Sequence, residues 1–405
     1  MKTTGKITLL VAASFFAAFG SARAGLLEYT PYGSPASSYN ATGMALNLKG
    51  VALVGQGLLV NPALIAETDG LKAQFTAGIN WRREYRSIEV FDSYANSVGL
   101  RTTAINDQTD YNLQGAEVSY ATSFWVLPKA ALGFGISREY DFNYRLKAEE
   151  RDAFYYLTSL YEQIQEGAVY GYSGALAVKP FSFLSAGLGL TRLSGDPKLT
   201  ITENFEDPTY TDISIGYQHN YKGYRFSAGA FGQLTPRINL GISWKSSARV
   251  EGLLSYSDND TSISQNQKVG LPSSYAIGAT YRPSNEFPAT VCLEYEHTPW
   301  QNLEDNQFSY EPLVPVNKYS FGISHRMKNN LPLYFGVSFT NSYRSSAIGL
   351  ARAGFGTEIL VSNLRSGISA GVGRRTYNYG QAFGTSSGTT VSETMADLML
   401  TFSLK

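Results

Sequence analysis

Apolar residues recur at every second position along most of this chain. Ile238, Leu240, Ile242 and Trp244 alternate with Arg237, Asn239, Gly241, Ser243 and Lys245. Tyr275, Ile277, Ala279 and Tyr281 alternate with Ala276, Gly278, Thr280 and Arg282, and the chain ends on Leu398, Leu400, Phe402 and Leu404. A period of two places each set on one face of a strand. About fourteen such strands are expected, near 71–86, 113–125, 130–146, 168–179, 183–203, 213–233, 237–257, 272–282, 288–297, 317–328, 332–342, 353–362, 364–378 and 391–404. Alternation alone also suits a soluble sandwich, so the connections decide. Short ones fall at 126–129, 180–181, 235–236, 283–287, 328–331 and around Asn363. Longer ones fall after the first and third strands and at 204–212, 258–271, 298–316, 343–352 and 379–390. Short and long connections take turns, as in outer-membrane barrels with short periplasmic turns and longer extracellular loops. The expected fold class is all-β, a transmembrane antiparallel β-barrel of about 14 strands.

Composition agrees with that class. The 405 residues include 28 Tyr, 22 Phe and 39 Gly, yet only 16% are charged. Beyond the extreme N-terminus no run of about eighteen apolar residues occurs, which excludes a helical membrane protein. The aromatics Trp81, Trp125, Trp244, Tyr281 and Tyr295 fall toward strand ends, where interfacial girdles form. Lys and Arg together number 33, equal to Asp and Glu, so nothing favours a nucleic-acid partner. The lone Cys292 excludes an intramolecular disulfide or a cysteine-cluster metal site.

Two segments depart from the alternation. Residues 1–24 read as a secretory signal: Lys2 and Lys6, an apolar core over 7–19, then Ala22-Arg23-Ala24 as a small-x-small cleavage pattern. Its removal takes three cations, leaving 30 against 33 acids, a formal charge of -3. Residues 25–70 are rich in Gly, Ala and Leu and precede the first strand, as a plug of the lumen would. The barrel proper is expected over 71–405. Within it, residues 149–166 follow helical spacing through Ala153, Phe154, Leu157, Leu160, Tyr161 and Ile164. This predicts a helix in an extracellular loop. Phe154, Leu157, Leu160 and Tyr161 then form either an apolar landing surface for a ligand or a stripe packed on neighbouring loops.

Catalytic chemistry is not expected. His219, His297 and His325 are far apart and in no metal-ligand spacing, and no phosphate-loop or dinucleotide fingerprint follows a strand. No enzyme, cofactor or metal is expected. Inward-facing charges are more informative. With the apolar set toward lipid, Arg82, Glu84, Arg86, Lys245, Arg249, Glu294 and Glu296 face the lumen. A cation there holds a carboxylate while apolar neighbours take its chain. Arg82 and Lys245 are the leading candidates, with Arg249 beside them; the competing reading pairs them with luminal acids.

The order of short motifs resembles the FadL family of outer-membrane transporters for long-chain fatty acids and related hydrophobic compounds. Gly43-Met44-Ala45, Gly50-Val51-Ala52-Leu53 and Asn61-Pro62-Ala63 are similar to that family's N-terminal hatch. The strand from Pro236 to Ser246 carries its Gly-x-Ser-aromatic pattern, and Leu271-Pro272-Ser273-Ser274-Tyr275 with Glu294-Tyr295 and Trp300 resembles the next hairpin. The hatch motif here reads Asn-Pro-Ala-Leu, and the chain ends without a terminal aromatic. The resemblance implies a 14-stranded barrel in a Gram-negative outer membrane, a luminal hatch and loop capture of a hydrophobic ligand such as a long-chain fatty acid. It also implies release past a kinked strand, for which Gly133 and Gly135 are candidates. The expected partners are outer-membrane lipid and that ligand. Relatives of this fold also serve as PorV-like scaffolds, so a non-conducting barrel that binds other envelope proteins is the alternative.

Overall fold

Strand formation follows the alternation, because each wall residue points either to a packed interior or to the outside. The computed structural model describes residues 32–124, 127–152, 156–283, 288–306, 313–327, 330–361, 363–379 and 388–404. The expected signal segment, Trp125 and Phe154 lie outside these residues. In chain order the strands are β1 (Ser34–Pro35), β2 (Gly70–Phe91), β3 (Ser97–Phe124), β4 (Leu127–Asp141), β5 (Tyr144–Arg151), β6 (Leu157–Glu166), β7 (Ala168–Phe181), β8 (Leu184–Gly195), β9 (Lys198–Phe205), β10 (Ile213–His219) and β11 (Tyr221–Thr235). They continue as β12 (Ile238–Lys245), β13 (Ala248–Ser257), β14 (Ser262–Leu271), β15 (Ser274–Tyr281), β16 (Ala289–Thr298), β17 (Glu304–Asp305), β18 (Val316–Arg326), β19 (Pro332–Asn341), β20 (Gly349–Val361), β21 (Leu364–Asn378) and β22 (Thr390–Leu404).

Antiparallel ladders join these strands into one large closed ring. The path runs β2–β3–β4–β7–β8–β11–β12–β15–β16–β18–β19–β20–β21–β22. β22 then returns to β2 in a continuous ladder from Ala73↔Leu404 to Ser87↔Thr390. Closure leaves the path without an open edge, which an isolated sheet of this size would expose. Outward positions such as Phe134, Leu188, Phe226, Ile242, Phe335 and Phe355 are exposed, giving an apolar exterior. Inward positions of the same strands are mostly Gly, Ser, Thr or charged.

A second tier rises from one rim. β3 pairs with β5, and ladders continue through β6, β9, β10, β13 and β14. Four expected strands are therefore divided. The spans 130–146, 183–203, 213–233 and 237–257 break at 142–143, at 196–197, at Asn220 and at 246–247, where the chain changes partners. The expected loop 258–271 contains β14.

The helix expected over 149–166 is replaced by the β5–β6 hairpin in its described part. Ser159, Tyr161, Gln163 and Gln165 are buried while Leu160 is exposed, a period of two. Leu160 and Ile164 are four apart, a separation that satisfies both a helix face and a strand face. The ladders to β5 and β9 on either side select the strand.

The ring interior is occupied by the chain's own segment from Tyr32 to Asp69. It holds one short helix, α1 (Ala41–Leu46), and a 3-10 turn (Pro62–Glu67). α1 contacts β18 to β22, whereas the 3-10 turn contacts β3, β4, β7, β8 and β11. The segment thus reaches opposite walls. Its residues Ala45, Leu46, Val51, Ala63, Leu64 and Ala66 are at most 1% exposed. Wall glycines allow this approach: a Cβ on Gly336 would lie 2.1 Å from the Leu46 carbonyl carbon. Gly336→Ala is expected to destabilise the protein by about 1–3 kcal/mol through overpacking against backbone. Gly174→Ala, whose Cβ meets Phe134 atoms at 3.6 Å or more, is expected to be near neutral. Thermal unfolding of both variants in detergent checks this; equal midpoints would refute the tight packing.

Candidate functional site

The contact between the inner segment and the wall is built from a few polar residues. Asn61, fully buried, caps the 3-10 turn: its Oδ1 accepts from the Ala63 N–H at 3.1 Å. Its Nδ2 donates to the Val51 carbonyl at 3.0 Å and to the Ala230 carbonyl of β11 at 3.1 Å. Pro62 follows at the first helical position, where its missing N–H costs nothing. A Cβ on Gly229 would come within 1.9 Å of the Asn61 Oδ1. The Asn-Pro-Ala motif therefore ties the segment to itself and to the wall.

The opposite anchor is Glu294 on β16. Its carboxylate accepts the backbone N–H groups of Lys49 at 2.5 Å, Gly50 at 2.9 Å and Val51 at 2.9 Å. Three successive N–H groups converge because Gly50 adopts φ +92°, a conformation that suits glycine. Two positions on, Glu296 pairs with Lys49 at 2.7 Å and with Lys318 at 2.7 Å.

Of the candidate cations, Lys245 and Arg82 are paired with interior acids, and Arg249 lies elsewhere. Lys245 is held by Glu139 at 3.0 Å and donates to the Tyr39 hydroxyl at 2.9 Å. Arg82 pairs with Asp141 at 3.2 Å. Arg249 is exposed and does not face the lumen. The two-residue break at 246–247 inverts the phase, so Ala248 and Val250 turn inward instead.

Sequence reasoning missed three further arginines. Arg138 and Arg225 are each 4% exposed, and Arg352 pairs with Asp397. Nε of all three and Nη1 of Arg138 have no hydrogen-bond partner among the described residues. Arg82, Arg138, Arg352, Asp141 and Asp397 line a cavity of about 80 Å³ beside 34–37. In the sequence the charges at Arg138, Glu139 and Asp141 fall on both strand faces and so give no inward set; in the structure every residue from Ser137 to Phe142 is buried and alternation fails. A register shift between Arg138 and Tyr140 accounts for it.

Gly133 and Gly135 face the inner segment. A Cβ on them would lie 2.7 Å from a Leu58 methyl and 3.1 Å from a Leu59 methyl. The β4–β7 register runs unbroken through both glycines, and its shift falls further along. Leu157 is half-buried, Leu160 exposed and Tyr161 buried on the hairpin. Tyr161 joins Tyr144, Leu146, Leu199, Ile201, Tyr217 and Leu254 in the core of the second tier. Leu160 thus lies on the face opposite Leu157 and Tyr161.

Where the second tier meets the ring, Tyr32, Phe142, Trp300 and Tyr343 close the interior, with the rings of Trp300 and Tyr343 stacked at 4.6 Å. His219, on β10 beyond the ring, lies against this cluster. Its Nδ1 sits 2.7 Å from Gln267 Oε1 and 3.0 Å from the Tyr221 hydroxyl, and Gln267 donates to Asp305. At the turn end a cavity of about 800 Å³ opens below the inner segment. Among the described residues the interior thus presents charged and small polar groups around the buried segment.

Two expected outcomes follow from this geometry. Asn61→Ala removes a cap and two buried donors, so a loss of about 2–3 kcal/mol is expected in detergent unfolding; an unchanged midpoint would show that the motif is not an anchor. Burial lowers the His219 pKa from 6.5 to about 4. The unfolded chain then takes up a proton first, so stability falls as pH drops from about 6.5 toward 4, by at most about 1.4 kcal/mol per pH unit. His219→Gln should lose this component; identical pH profiles of variant and wild type would contradict it.

No family model and no curated protein matches the sequence. Solved structures do match in shape. A Pseudomonas aeruginosa FadL homologue aligns with a TM-score of 0.66 at 12% identity, covering 92% of this chain and 99% of the other. The Pseudomonas putida toluene transporter TodX aligns at 0.59 and 13%, covering 91% and 99%. The Ralstonia pickettii toluene transporter TbuX aligns at 0.58 and 12%, covering 91% and 98%. The chain therefore has the FadL-type fold along nearly its full length.

Proposed function

We propose that this chain is an outer-membrane channel for hydrophobic small molecules, exported by residues 1–24. The fourteen strands of the closed path form the membrane wall, and Tyr32–Asp69 is the hatch. The observation that carries the reading is the buried segment across the ring: it meets the wall through glycine close approaches, a few hydrogen bonds and apolar packing on Ala131, Ala175, Ala177 and Phe231, and it fills the lumen without forming a strand of the closed path. The apolar exterior suits lipid, since patches of that extent are unstable in water. The neighbours named above are a FadL homologue and transporters of toluene, which supports a hydrophobic cargo.

Long-chain fatty acids are the proposed cargo. A carboxylate would enter the cavity lined by Arg82 and Arg138, where one acid, Asp141, pairs with both arginines and Nε and Nη1 of Arg138 have no hydrogen-bond partner among the described residues. Lys245 is already neutralised by Glu139, so it serves the hatch contact. The loop-end aromatic cluster favours a second reading, a closed barrel that presents its tier to other envelope proteins.

Uptake of labelled oleate and of toluene by a deletion strain, with and without the restored gene, separates the two. Restored uptake several-fold above the deletion is expected for at least one ligand. Equal rates for both ligands, with the protein isolated in a stable complex, would favour the scaffold.

A further inference from the structure

The inward columns of three wall strands end in arginine at the turn end of the ring. Arg237 precedes β12, Arg282 follows β15 and Arg326 closes β18, and the Arg282 N–H bonds the Arg237 carbonyl at 2.9 Å. All three line the cavity of about 800 Å³ below the hatch segment. Arg282 and Arg326 also line an adjoining cavity of about 730 Å³, together with Tyr334 and Arg365.

The acids of this mouth are already engaged. Glu67 pairs with Lys179 at 2.7 Å, Asp69 with Lys129 at 2.6 Å and Glu358 with Arg365 at 3.4 Å. Among the described residues Arg282 and Arg326 have no ion pair, and the Arg237 guanidinium donates only to the Pro283 carbonyl, at 3.3 Å. Deeper in the same cavity Leu46, Leu53 and Phe231 supply apolar lining, among the polar side chains of Asn40, Gln56, Thr280 and Ser324. A cationic rim above a partly apolar depth, in a volume typical of ligand sites, suits an anionic head on a hydrocarbon chain.

We propose that this mouth binds the anionic head group of a single-chain amphiphile, held by Arg282 and Arg326 with its chain directed toward Leu46 and Phe231. The proposal rests on the transport reading and deepens it: the site lies on the aqueous turn side of the hatch, where an anionic cargo can rest after passing it. Cargo without a charge gains nothing there.

Titration calorimetry on the purified full-length protein in a neutral detergent tests it, with dodecanoate, dodecanol and inorganic phosphate as probes. The double variant Arg282→Ala/Arg326→Ala is expected to bind dodecanoate 10- to 100-fold more weakly, with dodecanol unchanged and with less salt dependence. Arg82→Ala, in the inner cavity, is the comparator. Dodecanoate affinity that falls in Arg82→Ala but not in the double variant would overturn the site. Phosphate binding as tight as dodecanoate binding would overturn the amphiphile and leave a free-anion site. Oleate or toluene uptake by cells reports separately on transport, so a failed mouth with intact uptake removes this inference alone.

Discussion

Everything inside the ring depends on one carboxylate meeting three backbone amides. Glu294 holds the N–H groups of Lys49, Gly50 and Val51, and so fixes the middle of a segment that has little regular structure of its own. Such an oriented nest of amides is a fixed partial positive charge, and the buried acid is its counterpart. From that point the chain runs one way to α1 and the other way to the Asn61 cap. Each end reaches a different arc of the wall. The wall answers with glycine, because backbone packed on backbone leaves no room for a side chain.

The same constraint sorts polarity. Outward positions are apolar, and inward positions must satisfy a segment whose amides and carbonyls are cut off from solvent. Ion pairs therefore gather in the lumen: Lys49 and Lys318 with Glu296, Lys245 with Glu139, Arg82 with Asp141. Buried charge is costly unless paired, so the unpartnered nitrogens of Arg138, Arg225 and Arg352 stand out.

Much of the wall was legible in the sequence because a strand between two environments must alternate. The span 364–378 coincides with β21, and 288–297 lies one residue from β16. Partner exchange was not legible, since alternation continues through Asn220 while the ladder changes neighbours. The break at 246–247 shifts the phase by one, which reversed the reading of Arg249. The helix expected at 149–166 arose from a spacing of four, which two geometries share. The Asn-Pro-Ala motif was legible as a motif, but its bonds to Val51 and Ala230 depend on residues distant in sequence. The arginines at 138, 225 and 352 were hidden for the same reason: their meaning comes from which strands face one another.

A cysteine pair across the hatch contact gives the most direct measurement. A Cβ on Gly278 would lie 2.9 Å from a Val51 methyl, so Val51→Cys with Gly278→Cys in a Cys292→Ser background is close enough to cross-link. The segment is placed in the ring, and under the proposed channel function it must yield for cargo to pass. The expected result is a disulfide that forms on oxidation, stops uptake of a hydrophobic ligand and releases it on reduction. Full uptake through the oxidised, cross-linked protein, or no cross-link at all, would contradict a hatch that gates this barrel.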